Sequence, residues 1–186
     1  EMDPKRCEEF QARDIYLQER CPETLVNTYA MHWPGKQRET VRNLRKTPFH
    51  HALKAHGACF AEVQGWERPG WFAPEGVKAA YDYSFYRPSW FDHTQAEQKA
   101  AREDVAMIDY TMLGKLMVEG ANAERFLDRM CTNKMGIAPG RVTYTLMLND
   151  RGGIESDVTV ARHTTDSFMV MSSISHTRRD YLHLRD

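Results

Sequence analysis

Between Val142 and Ala161 hydrophobic and polar positions alternate with a period of two. In the first limb Val142, Tyr144, Leu146 and Leu148 share one side; in the second, Ile154, Ser156, Val158 and Val160 share one side and Glu155, Asp157 and Thr159 the other. Over this length such alternation predicts half-buried strands. Asn149-Asp-Arg-Gly-Gly153 is turn chemistry, because Asn, Asp and Gly accept positive φ. A loop that pairs Asn149 with Ile154, or any register of the same parity, sets Tyr144 on the face of Asp157. A slip of one residue sets it on the opposite face, and alternation is compatible with both.

The rest of the chain reads as short elements. Residues 1–34 carry a helical pattern in which Phe10, Ile15, Leu17, Leu25, Val26 and Tyr29 make an apolar stripe and Pro22 separates two helical segments. Trp33-Pro34-Gly35 is a break. Thr47-Pro48-Phe49 opens a short helix to Ala55 that His56-Gly57 ends, and Ala58–Val63 reads as a strand. In Gly65-Trp-Glu-Arg-Pro-Gly-Trp-Phe72 the bulk of Trp66, Trp71 and Phe72 is expected to seal a domain interface, with Arg68 as an ion-pair anchor beside them. Ala73–Asp92 is aromatic without period and reads as a linker. Thr94-Gln-Ala-Glu97 has the spacing of a capping box, opening a helix to about Val105. Ala106–Tyr110 and Lys115–Glu119 are strand-like, and Ala123–Cys131 is helical with Phe126, Leu127 and Met130 on one face. After the hairpin come a strand at Ser167–Met171, a polar turn at Ser172–Thr177 and a helix at Arg178–Arg185. This order predicts an α+β fold, an antiparallel sheet with helices on one face.

Composition narrows the function classes. The 186 residues suit one or two domains, and 41% hydrophobic with 27% charged residues is globular usage. A net charge of −1 without a basic stripe argues against a nucleic-acid partner. No long apolar run suggests a membrane span, and no secretory signal is visible. The helical pattern still running at Asp186 suggests a piece of a longer polypeptide. Cys7, Cys21, Cys59 and Cys131 are irregularly spaced and read as reduced thiols. His51 and His56 are five residues apart, not the three or four that align metal ligands on a helix. No Cys-His signature, phosphate-cradling loop or dinucleotide fingerprint occurs. What remains is Asp157, a carboxylate in a strand built to pack. It stands either on a solvated face or against a ligand cavity, and Tyr144 on the same face would favour the cavity.

Tyr144-Thr-Leu-Met-Leu-Asn149 with Gly152-Gly-Ile-Glu-Ser-Asp157 resembles the folate-binding domain of the glycine-cleavage aminomethyltransferase (T-protein) family. Asp109-Tyr-Thr-Met-Leu-Gly-Lys115 is similar to that family's Asp-Val-Ser-His-Met-Gly-Lys segment, with Thr111 for Ser and Met112 for His. Gly65–Phe72 resembles instead the linking region of dimethylglycine- and sarcosine-dehydrogenase-like flavoproteins, in which an amine oxidoreductase is fused to a T-protein-like half. Ser156, where T-proteins commonly have aspartate, favours that branch.

The resemblance implies that residues 1–92 end the FAD oxidoreductase half and that 93–186 begin a truncated T-protein-like domain, the first of three subdomains around a central opening. It implies tetrahydrofolate as cofactor, touched by Asp157, Tyr144, Thr111 and Ser172, with Asp157 catalytic, and FAD bound by a domain outside this chain. The implied reaction is oxidation of an N-methylated glycine, with transfer of the one-carbon unit to tetrahydrofolate. The implied partners are the small-molecule substrate, folate and the rest of the parent polypeptide, in a bacterial cytoplasm or a mitochondrial matrix. A non-catalytic regulatory or scaffold relative, and a free-standing aminomethyltransferase, are the alternatives; the Trp66–Pro69 segment argues against the second.

Overall fold

Residues on both sides of Pro22 belong to one helix, α1 (Asp14–Tyr29), in the computed structural model, which describes residues 7–186. The expected break at Pro22 is therefore corrected. A proline removes one N–H from the ladder, but Arg20 and Glu23, flanking it, are tied to two neighbouring stretches, residues 39–40 and the strand Ala58–Val63. Arg20 meets Glu62 at 2.8 Å and donates to Thr40 Oγ1 at 3.2 Å, and Glu23 accepts the Glu39 N–H at 2.7 Å. These bonds hold the helix across its weak point.

The chain divides into two units, one built on Glu9–Met112 and the other on Leu113–Asp186. The first contains α1, β1 (Arg45–Lys46), α2 (His50–Ala55), β2 (Ala58–Val63), β3 (Trp66–Phe72) and α3 (Phe91–Glu103). Its sheet has the order β1-β3-β2, with β1 parallel and β2 antiparallel to β3. A bulge beside Cys59/Phe60 accommodates Pro69, which cannot donate to a ladder. Trp71 is buried with Cys59 and Ala73, and Tyr81 and Trp90 pack on them. It thus fills the core of its own unit, where an interface seal was expected. The ion pair on β3 is made by Glu67, not Arg68: Glu67 accepts from Arg42 Nε at 2.9 Å and from the Asn43 N–H at 2.6 Å.

Two local expectations are corrected in this unit. α3 starts at Phe91, three residues before the expected capping box. Thr94 Oγ1 donates back to the Trp90 and Phe91 carbonyls, and Glu97 accepts from the Phe72 N–H at 3.2 Å. Residues 106–110 form no strand. Asp109 accepts from Thr47 Oγ1 at 2.7 Å and from the Thr111 N–H at 2.9 Å, which holds a turn there.

The second unit contains β4 (Gly114–Glu119), α4 (Ala123–Met130), β5 (Val142–Leu148), β6 (Ile154–Arg162), β7 (Ser167–Ser172) and α5 (Thr177–Arg185). Its four strands form an antiparallel sheet in the order β4-β7-β6-β5. One face is the core: Met147, Val158, Val160, Phe168 and Val170 pack with Leu127 of α4, and Leu184 of α5 lies against them. This is the expected α+β arrangement, with helices on one sheet face. Phe126 and Met130 join Leu127 at the core, as their spacing predicts.

The Arg42–Glu67 pair sets how the first unit responds to acid. Glu67 is 2% exposed. Burial works to raise its carboxyl, but hydrogen bonds from Arg42 and the Asn43 N–H, with the Arg42 charge, outweigh it and hold the group below the usual carboxylate range. A lowered folded value means that the stabilisation is full above the unfolded pKa, about 4.3, and is lost as pH falls through the folded value. Unfolding monitored by Trp fluorescence should show this acid loss, and Glu67→Gln should flatten it. Glu67→Ala, which strands the Arg42 charge, should cost at the lower end of about 3–5 kcal/mol near neutral pH, because Arg42 keeps some contact with water.

Candidate functional site

The hairpin register decides which side chains share a face. Tyr144 pairs with Thr159, Leu146 with Asp157 and Met147 with Ser156; the ladder then shifts so that Leu148 pairs with Ile154. Paired residues lie on one face and neighbours in sequence on opposite faces. Tyr144 and Asp157 therefore point the same way, away from the core, and Tyr144 Oη donates to Asp157 Oδ2 at 3.3 Å. The parity is that of an Asn149–Ile154 pairing, and the bulge lets a tighter turn close it. Asn149 builds that turn: its Oδ1 accepts from the Arg151 and Gly153 N–H groups at 3.0 and 2.9 Å, and Gly152 takes a φ of 76°.

On β5 the polar side of the alternation is the buried one. Thr145 and Met147 face the core, whereas Val142 and Tyr144 are each 59% exposed. The segment after α4 accounts for this. Asn133 N–H donates to Thr145 Oγ1 at 3.1 Å, and Cys131 bridges to Met147. Thr145 is thereby satisfied inside, and the aromatic ring is left for the outer face.

The same face continues across the sheet. Met171 pairs with both Thr159 and Lys115, and Met169 with both Ala161 and Met117. Three methionines thus extend the platform begun by Tyr144 and Leu146, with Asp157 as the carboxylate set in it. Thioether side chains adapt to a flat partner. Loss of water around the ring, then the charge and hydrogen bond of Asp157, push the Tyr144 phenol above its ordinary value. The phenol stays a donor at neutral pH.

Ser172 stands on the other face. It is 2% exposed, and its hydroxyl donates to Asp180 of α5. Ser156 Oγ donates to the same Asp180 Oδ2 at 2.9 Å, so one buried carboxylate joins β6, β7 and α5. Beside it, Asn149 and then Arg179 hold the Glu155 carboxyl below the usual carboxylate range, Asn149 Nδ2 at 2.7 Å from Glu155 Oε1. α5 thus grips the two residues that precede Asp157. Sequence reading missed Asp180; the available signal was Ser156, a hydroxyl in phase with buried Val158 and Val160. Thr111 lies in the Glu9–Met112 unit, in the turn held by Asp109. The structure therefore brings Tyr144 and Asp157 together, and it gives Ser172 to the Asp180 cluster.

Other groups offer less chemistry. Burial pushes the Cys131 thiol up to about 11 and also raises Cys59, which removes both as ready thiolates. Among the described residues, no three His, Cys, Asp or Glu side chains are grouped as a metal ion requires, and no helix is long and apolar enough to cross a membrane.

Comparison with known proteins follows the two parts of the chain. Residues 49–186 match the GCVT N-terminal domain and residues 1–47 the FAD dependent oxidoreductase central domain. The chain is 43% identical to 4-methylaminobutanoate oxidase (formaldehyde-forming) of Paenarthrobacter nicotinovorans, over 92% of this chain and 21% of that protein. It is 32% identical to human mitochondrial sarcosine dehydrogenase, over 79% of this chain and 19% of that protein. It is also 32% identical to the mouse mitochondrial pyruvate dehydrogenase phosphatase regulatory subunit, over 92% and 20%. The chain thus spans about a fifth of the length of these relatives. The glycine cleavage system aminomethyltransferase T of Bartonella henselae shares the fold, with a TM-score of 0.60 at 21% identity over 77% of this chain and 35% of that one. With three quarters of its length in one domain match, and that match covering the whole Tyr144–Asp157 sheet, the chain belongs to the GCVT N-terminal domain family.

Proposed function

We propose that this chain is the junction of a flavin-dependent oxidase or dehydrogenase of an N-methylated glycine, sarcosine or dimethylglycine, whose GCVT-type part passes the one-carbon unit to tetrahydrofolate to give methylenetetrahydrofolate. The observation that carries this reading is the Tyr144–Asp157 pair, 3.3 Å apart on an outward face that Leu146, Met117, Met169 and Met171 share. The residues fit a pterin: a carboxylate to accept from ring N–H groups, a phenol to steer it, and an apolar platform for a flat ring. FAD finds no fingerprint in this sequence, so its binding is assigned to the oxidoreductase domain outside it.

Tetrahydrofolate supplies the nitrogen that takes up the one-carbon unit. Asp157 accepts a hydrogen bond from the bound ring system and offers negative charge where positive charge develops. Tyr144 holds Asp157 by its hydroxyl and gives the ring a wall. Ser172, through Asp180, fixes β7 against β6 and so acts on the site by position. The compartment is read as bacterial cytoplasm or mitochondrial matrix. A regulatory relative is the second reading, because the mouse phosphatase regulatory subunit aligns over nearly the whole chain. A polypeptide of that kind would neither bind tetrahydrofolate nor depend on Asp157.

Titration of the native polypeptide with a tetrahydrofolate analogue tests the reading. Asp157→Asn should weaken binding on the order of ten- to a hundredfold, the worth of a hydrogen bond to a charged acceptor. It should slow one-carbon transfer and leave flavin reduction by the amine unchanged; Tyr144→Phe should give a smaller loss of the same kind. Unchanged binding and transfer in Asp157→Asn would refute the role. Asp180→Ala strands two buried hydroxyls and should destabilise the Leu113–Asp186 unit by about 1–3 kcal/mol, read by chemical denaturation, with Asp180→Asn recovering part of the loss.

A further inference from the structure

Helix α1 is built the reverse of an ordinary surface helix. At 100° per residue Tyr16, Arg20 and Glu23 fall on one face, and this face turns inward. Arg20 is the buried residue of the helix, bonded to Glu62 and Thr40. The opposite face carries Ile15, Pro22, Leu25, Val26 and Tyr29 within about 100° of arc. Of these Ile15 is 53% exposed, Leu25 63%, Val26 66% and Tyr29 86%. A continuous apolar stripe on the outside of a helix held by an arginine marks a surface made to be covered.

We propose that this stripe is covered by the FAD dependent oxidoreductase part of the same polypeptide. Two observations select that occupant over a second copy or a foreign partner. The helix lies within residues 1–47, which match the central domain of such oxidoreductases; of the residues that hold its inward face, Thr40 and Glu39 lie in that same segment and Glu62 lies within the GCVT match. The inward side of α1 is thus tied to its own segment and, through Glu62, to the GCVT match, and its apolar side is left for the rest of the oxidoreductase part. The matched relatives are also about five times longer than this chain, which leaves ample polypeptide to supply the cover. The contact would fasten the oxidising part to the GCVT part through one helix whose Arg20 also grips Glu62. It stands on the matched segments and does not rest on folate binding.

Cys21, exposed on α1 at the flank of the stripe, reports on cover. Maleimide labelling read peptide by peptide by mass spectrometry should modify Cys21 readily in the 186-residue chain. In the native polypeptide with its flavin domain, labelling should be at least tenfold slower. Val26→Glu with Tyr29→Glu should leave thermal unfolding of the 186-residue chain unchanged, restore Cys21 labelling in the native polypeptide and lower the unfolding temperature of its flavin domain. Equal labelling in both proteins would overturn the assignment, as would protection that survives both glutamates. Protection of the 186-residue chain that rises with its own concentration would overturn it in favour of self-association.

Discussion

A sheet that packs on one side only depends on its register, and in this protein the register of β5 against β6 governs everything at the proposed site. One residue of slip would send Tyr144 into the core and Thr145 out, and would separate the phenol from the carboxylate. Several independent contacts oppose that slip. Asn133 and Thr132 hold Thr145 inward, Met147 fills the core beside Cys131, and Asp180 binds the hydroxyl next to Asp157. The outward pair is therefore fixed mainly by what its neighbours do on the inner side.

The division of labour between faces is chemically sensible. On the inner face each of these buried hydroxyls has a partner: Thr145 with Asn133, Ser156 and Ser172 with Asp180. A buried carboxylate that accepts from two hydroxyls is satisfied by short dipoles and draws no second charge into the core. Glu67 in the other unit follows a different solution, a charged partner in Arg42 and a backbone N–H. Both arrangements tie segments far apart in sequence, and both leave the outer surfaces free for other contacts.

The hairpin, α4, β7 and α5 were legible in the sequence because each carries a clean period or a strong turn signal. The aromatic strand at Trp66–Phe72 was legible as something bulky and hidden, but its partner was not: periodicity says that Trp71 is buried without saying against what. Pro22 and the Thr94–Glu97 spacing misled for a common reason. Local rules rank a proline or a capping motif on its own terms, whereas Thr40, Glu62 and the Phe72 N–H act from stretches tens of residues away. Asp157 could be singled out by its place in an apolar strand. Asp180 could not, since a single acid on a short polar helix has nothing local to mark it. Register parity, the deciding fact, lay in the shift at Met147/Leu148, which alternation alone leaves undetermined.

That shift also gives the chain slack. The loop from Asn149 to Gly153 lies on the far side of it from Asp157, so a loop longer or shorter by one residue can be absorbed by erasing or re-forming the irregularity, without turning the sheet inside out. Loop length at the tip is thereby released from the geometry of the acid. The tip can change length while the phenol and the carboxylate keep their common side.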